Sequence, residues 1–91
     1  MARIVVTLTI NPDSPDVDLK KLEEEASKKV AEYGGDVGKV EIEPMAFGLK
    51  ALKIIFIMDE SKGIPDELEK KISELTGVAS VRITDVRRTI G

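Results

Sequence analysis

Apolar and polar positions alternate along residues 3–10. Ile4, Val6, Leu8 and Ile10 oppose Val5, Thr7 and Thr9, the period of a β-branched strand with one firmly apolar face. Asn11-Pro12-Asp13-Ser14-Pro15 breaks the pattern with two prolines and three turn-forming side chains. The period then lengthens. Leu19, Leu22, Ala26, Val30 and Tyr33 recur at intervals of three and four, one stripe along a helix. Asp18 is its N-cap, and Val17 and Leu22 have the spacing of a hydrophobic staple. Gly34 and Gly35 end it. On the opposite side Glu24 precedes Lys28 and Glu25 precedes Lys29 at i,i+4, each pair contributing ~0.2 to 0.5 kcal/mol in an isolated helix. Glu23, Glu24 and Glu25 read as a solvated face rather than an acidic patch.

Residues 37–43 predict a short second strand, with Val40 and Ile42 inward and Lys39, Glu41 and Glu43 outward. The next strand organises the chain. Leu52, Ile54, Phe56 and Met58 share one face while Ala51, Ile55 and Ile57 share the other, so this strand belongs inside a sheet. Which face meets the helices is left open by the pattern. The segment feeding it, Pro44-Met45-Ala46-Phe47-Gly48-Leu49, is an apolar loop; Phe47 either folds back onto the sheet or meets a partner. Residues 59–64 form a polar turn, and Pro65 sits at the first position of a second helix with Asp66 and Glu67 in its first turn. Leu68, Ile72 and Leu75 point inward before a stop at Gly77. A last strand runs from 78 to about 90, with Val81 and Ile83 inward. Val37-Gly38-Lys39-Val40-Glu41-Ile42 and Val78-Ala79-Ser80-Val81-Arg82-Ile83 echo one another after each helix. The expected fold is α+β: a ferredoxin-like βαββαβ plait, with a four-stranded antiparallel sheet of order 4-1-3-2 and both helices on one face.

Ninety-one residues hold one modest core, so a single domain spanning 1–91 is expected. Cysteine and histidine are both missing from the sequence, which removes disulfides, zinc-finger chemistry, thiol nucleophiles and imidazole acid-base catalysis. Glu41 with Glu43, and Asp59 with Glu60, are carboxylate pairs without a nucleophile beside them. Gly34-Gly35 ends a helix rather than opening one, unlike a phosphate loop. The expectation is a protein that is not an enzyme, with no catalytic residue, metal or cofactor. The start of the chain resembles neither signal nor transit peptide, and no apolar run approaches the ~18 residues of a membrane span; a soluble, cytoplasmic protein is expected. A net charge of −3 argues against direct nucleic-acid binding. Tyr33, Phe47 and Phe56 are the only aromatics, too few and wrongly placed for a base-stacking sheet.

In such a plait the loops at 11–15 and 44–49 lie at one end of the sheet, while residues 85–91 leave from the other. With strands of about eight residues rising ~3.3 Å each, the two ends are on the order of 25 Å apart. Only a protein could touch both. Taken alone, Arg87 and Arg88 read as a solvated terminus.

Three stretches carry a family resemblance across the full length: Asn11-Pro12-Asp13-Ser14-Pro15-Asp16-Val17-Asp18, Pro44-Met45-Ala46-Phe47-Gly48-Leu49-Lys50-Ala51-Leu52-Lys53 and Thr84-Asp85-Val86-Arg87-Arg88. They resemble the archaeal translation elongation factor 1-beta family, the last two being specific to that family rather than to the fold. The resemblance implies guanine-nucleotide exchange on elongation factor 1-alpha, the GTPase that delivers aminoacyl-tRNA to the ribosome. It also implies correspondence to the C-terminal domain of the larger eukaryotic relatives. Implied contacts are Met45, Phe47, Gly48 and Lys50 in the loop, and Asp85, Arg87 and Arg88 toward the C-terminus, near the magnesium site of the GTPase. Eukaryotic relatives place a basic residue close to their very end. This chain ends Thr89-Ile90-Gly91, with Arg88 and Arg87 its nearest basic residues. The alternative from another class is a small-molecule regulatory domain of the ACT type, suggested by the Gly77-Val78-Ala79-Ser80-Val81 ending after a helix. The oligomeric state is not specified by the sequence.

Overall fold

The strand period, the helix stripe and the second strand's return produce the expected order of elements in the computed structural model, which describes residues 3–62 and 66–89. These are β1 (Arg3–Pro12), α1 (Leu19–Tyr33), β2 (Asp36–Pro44), β3 (Lys50–Asp59), α2 (Asp66–Ser73) and β4 (Val78–Thr89), with single 3-10 turns at Ala46–Gly48 and Glu60–Lys62. The sheet order is β2-β3-β1-β4, and β1–β3, β1–β4 and β2–β3 all pair antiparallel. This is the ferredoxin-like plait.

Helix α1 starts and stops as its caps dictate. The Asp18 carboxylate accepts from the backbone N–H of Lys20 at 3.1 Å and of Lys21 at 3.3 Å, satisfying two of the donors a helix start leaves open. At the other end Gly34 turns left-handed at φ 101°, a conformation that costs a residue with a Cβ. Leu22, Ala26 and Val30 are buried, with Leu19 and Tyr33 packed against them. Lys29 pairs with Glu32 at 3.9 Å rather than with Glu25, and the expected Glu24–Lys28 contact is not made. Such exposed pairs contribute little to stability.

Register decides which face of β3 is core. Ile4, Val6, Leu8 and Ile10 lie opposite Met58, Phe56, Ile54 and Leu52, and directly paired residues share a face. All eight are buried beneath the helices. Ile55 and Ile57 face the open side and are half-buried there. In β2 the register slips between Val37 and Lys39, so Gly38 is a bulge that absorbs one residue. Val37 and Val40, three apart in sequence, therefore both reach the helix side, opposite Phe56 and Ile54. Ile42 follows on the same side, opposite Leu52, yet is 55% exposed. Its direction was read correctly from the pattern; its burial was not, because it lies on the edge strand at the loop end, where the core cluster does not cover it.

Two further expectations are corrected. Helix α2 ends at Ser73 rather than running to Gly77, and Leu75 packs on the core from the turn that follows. Gly77 takes φ 91° against Val17, and its carbonyl accepts from the Asp13 N–H at 2.9 Å. Residues 85–89 are not a departing tail: Asp85, Val86, Arg87, Arg88 and Thr89 pair with Thr7, Val6, Val5, Ile4 and Arg3. The expected helix start at Pro65 and the final residues Ile90 and Gly91 lie outside the described residues.

Two pairs of variants test this packing by thermal or denaturant unfolding. A Cβ on Gly35 would sit 2.8 Å from both Phe56 and Val30, so Gly35→Ala is expected to lose ~1 to 3 kcal/mol by overpacking. Gly38→Ala, which meets nothing nearer than the Ile55 carbonyl at 3.8 Å, should change stability by less than ~0.5 kcal/mol. Likewise Ile54→Ala is expected to cost ~2 to 5 kcal/mol, and Ile55→Ala about 1 kcal/mol or less. Equal losses at 54 and 55 would refute the face assignment.

Candidate functional site

The loop between β2 and β3 is tighter than its sequence implies. Pro44 and Lys50 form the last strand pair. Beyond them the Met45 N–H donates to the Leu49 carbonyl at 2.7 Å, and the Leu49 N–H to the Ala46 carbonyl at 3.3 Å, closing a single 3-10 turn. Gly48 provides φ 76°, with open space where a Cβ would stand. Its requirement is therefore conformational rather than steric. Met45 is 50% exposed, and Ala46, Gly48 and Lys50 are exposed while Leu49 is half-buried. The side chain of Phe47, which the sequence leaves either folded onto the sheet or meeting a partner, lies outside the described residues.

Exposed Ile42 extends this apolar end along β2. Sequence reasoning missed it because an alternating strand residue reads as core unless the reach of the helices is known. Beside it, on the open face, Lys53 pairs with Glu43 at 2.6 Å and Lys39 with Glu41 at 2.9 Å. The hydrogen bond that Lys53 donates to Glu43 raises the Lys53 pKa, and the one that Glu41 accepts from Lys39 lowers the pKa of Glu41. These pairs neutralise the edge of the sheet next to the loop.

At the opposite end the two arginines part company. A register shift between Thr7 and Leu8 makes Thr84 a bulge in β4, and its hydroxyl lies 3.0 Å from that of Thr9. Beyond the bulge, Asp85 and Arg87 share the open face with Thr7 and Val5, whereas Val86 and Arg88 share the helix side with Val6 and Ile4. Arg87 Nε donates to Asp85 at 2.9 Å. Arg88 reaches the turn after β3, donating to Glu60 through Nε at 3.1 Å and Nη2 at 2.6 Å. That turn is itself pinned, since the Asp59 carboxylate accepts from the Ser61 N–H at 2.9 Å. The same N–H bond lowers the Asp59 pKa. Glu60 was not singled out as a site residue, and its link to Arg88 spans 28 positions of sequence.

The candidate residues thus form two groups rather than one site. Met45, Gly48 and Lys50 gather at the end where Ile10 meets Leu52; Asp85, Arg87 and Arg88 gather where Arg3 meets Asp59 and Thr89. Lys50 lies level with Pro12, so about seven or eight residues of strand, on the order of 25 Å, separate it from Arg87 and Arg88 and about five separate it from Asp85, in a molecule 42 Å long. Between the start of α1 and the turn after α2 lies an open groove of about 520 Å³, bordered by Val17, Lys21, Glu25, Glu74 and Gly77; none of the candidates lines it. Among the described residues no group of acidic side chains could hold a metal ion, and no helix is long and apolar enough to cross a membrane. On the open face of the two central strands Val5, Thr7, Thr9, Ile55 and Ile57 stand half-buried, and Phe56 is buried on the other side.

Solved structures share this architecture at low identity. The C-terminal domain of the MgtC protein from Mycobacterium tuberculosis aligns with a TM-score of 0.64 at 12% identity, covering 98% of this chain and 87% of that one. LarC2, the C-terminal domain of a cyclometallase, aligns at 0.59 and 18% identity, covering 99% of this chain and 58% of that one. These likenesses speak for the fold alone. Sequence relatives are more informative. Elongation factor 1-beta of Methanobrevibacter smithii is 44% identical over 88 residues, covering 97% of this chain and 98% of the relative. That of Methanothermobacter thermautotrophicus is 38% identical with the same coverage, and that of Staphylothermus marinus 37% identical over 89 residues, covering 97% and 98%. The family model of the EF-1 guanine nucleotide exchange domain matches residues 5–89. With that match running from the first strand to the last, the chain belongs to the EF-1 guanine nucleotide exchange domain family.

Proposed function

We propose that residues 1–91 act as a single guanine-nucleotide exchange domain, promoting GDP release and GTP loading on translation elongation factor 1-alpha in the cytoplasm. The family match over residues 5–89 carries this reading. The separation of the two candidate groups suits it, because a partner that meets both must be of protein size.

Exchange asks for no reacting group. A factor that binds the nucleotide-free GTPase more tightly than the loaded one must, by linkage, weaken nucleotide binding by the same ratio. The efficient point of attack is the magnesium ion of the GTPase, which neutralises the nucleotide phosphates. In this reading Met45, Phe47, Gly48 and Lys50 dock against one part of the GTPase, and the end of β4 approaches the magnesium and phosphate site. A guanidinium brought there competes for the same anionic groups, with planar donors suited to carboxylate and phosphate.

The direct measurement is release of fluorescent GDP from elongation factor 1-alpha under excess unlabelled nucleotide. Substoichiometric amounts of this protein are expected to accelerate release; an unchanged rate with an active GTPase would overturn the reading. Phe47→Ala is expected to raise the concentration giving half-maximal acceleration by about tenfold or more, the loss typical of an aromatic anchor. Deleting residues 87–91 is a poor test of the other end, because Arg87, Arg88 and Thr89 are strand residues paired with β1. Arg87→Ala leaves the backbone ladder in place and is expected to lower the maximal rate; full activity would remove it from the mechanism.

A further inference from the structure

Arg87 and Arg88 are neighbours in sequence but are built differently into the fold. Arg87 bonds to Asp85, two residues earlier on its own strand, through a single donor, and its side chain is 79% exposed. That pair moves with β4 and lets the guanidinium turn to an external anion. Arg88 instead commits Nε and Nη2 to the two carboxylate oxygens of Glu60. The bridge joins the end of an edge strand to the turn after β3, across the start of the intervening β1. Glu60 is not free to follow Arg88, because the Asp59–Ser61 hydrogen bond holds its turn.

Resting on the exchange reading above, we propose that Glu60 is a positioning residue: by clamping Arg88 it fixes the end of β4 and so presents Arg87 to the GTPase. An exposed ion pair does little for global stability. At the end of an edge strand, however, local opening competes with only a few contacts, and a two-point clamp decides how often the end is closed. Opening that end reduces the binding-competent fraction of the free protein, which raises the apparent dissociation constant in proportion and leaves the bound complex unaltered.

The test uses the 91-residue chain in the GDP-release assay across a range of concentrations. Glu60→Gln is expected to raise the half-saturating concentration about two- to fivefold, the range open to an exposed pair, with the maximal rate unchanged, and Arg88→Gln to raise it at least as far. The reversed pair, Glu60→Arg with Arg88→Glu, is expected to return the half-saturating concentration toward that of the parent. In the absence of any GTPase, hydrogen exchange of those amides within residues 86–88 that face β1 should quicken in Glu60→Gln and slow again in the reversed pair. Faster nucleotide release by Glu60→Gln would mean that Glu60 masks Arg88 and would overturn the inference. So would a reversed pair that restores amide protection but not exchange, since Arg88 would then touch the GTPase itself. Unchanged behaviour of Glu60→Gln beside an active parent protein would sink the clamp alone; failure of the parent to accelerate release would sink the exchange reading beneath it.

Discussion

The pairing of β1 with β3 is the constraint from which the rest follows. Its register aligns Ile4, Val6, Leu8 and Ile10 with Met58, Phe56, Ile54 and Leu52, and a slip of one residue would turn one of these rows to the open face. Both helices close over the eight-residue surface so formed, with Leu22, Ala26 and Val30 from α1 and Leu68 and Ile72 from α2. Because the two strands are antiparallel and adjacent, the end of β1 lies beside the start of β3, and the start of β1 beside its end. The hairpin turn and the end of β4 are thereby held at opposite poles of one rigid pair.

Most of that frame was legible because it depends on period. Two residues per repeat in β1 and β3, three or four in α1, and Asp18 and Gly34 at the helix ends are local signals, and the structure keeps them. What local signals could not supply was register. Gly38 and Thr84 each insert a residue into an edge strand, and after each bulge the faces exchange. A strict alternation read from Val37 puts Val40 on the wrong side; read from Ile83, it puts Arg87 on the helix side and Arg88 on the open one. The overlong reading of α2 has a different cause. Leu75 keeps the spacing of a helix stripe while reaching the core from a turn, so its burial and its backbone state disagree.

The site was less legible than the fold, for a related reason. Loop residues 45 to 50 stood out by composition and chain order, and the structure gives them a defined turn around Gly48. Arg87 and Arg88 looked alike as consecutive cations in a terminal stretch. Their difference rests on partners, one at Asp85 and one at Glu60, and the second is 28 residues away. Ile42 was hidden in the opposite sense: its alternation is that of a core residue, and only the extent of the helical layer leaves it exposed.

No polar side chain is buried among the described residues, and exchange as proposed above asks for no reacting group. In that proposal two contacts are made together only when the GTPase has yielded part of its grip on the nucleotide. The stiffer the connection between the contacts, the more of the docking energy at one pole can be applied at the other, since a compliant linker would bend instead. A β1–β3 ladder packed on two helices is such a connection, and β4 inherits its stiffness through pairing with β1 from Pro12 to Arg3. Under the proposed mechanism the core would serve exchange directly, and weakening it should uncouple the poles before the fold is lost.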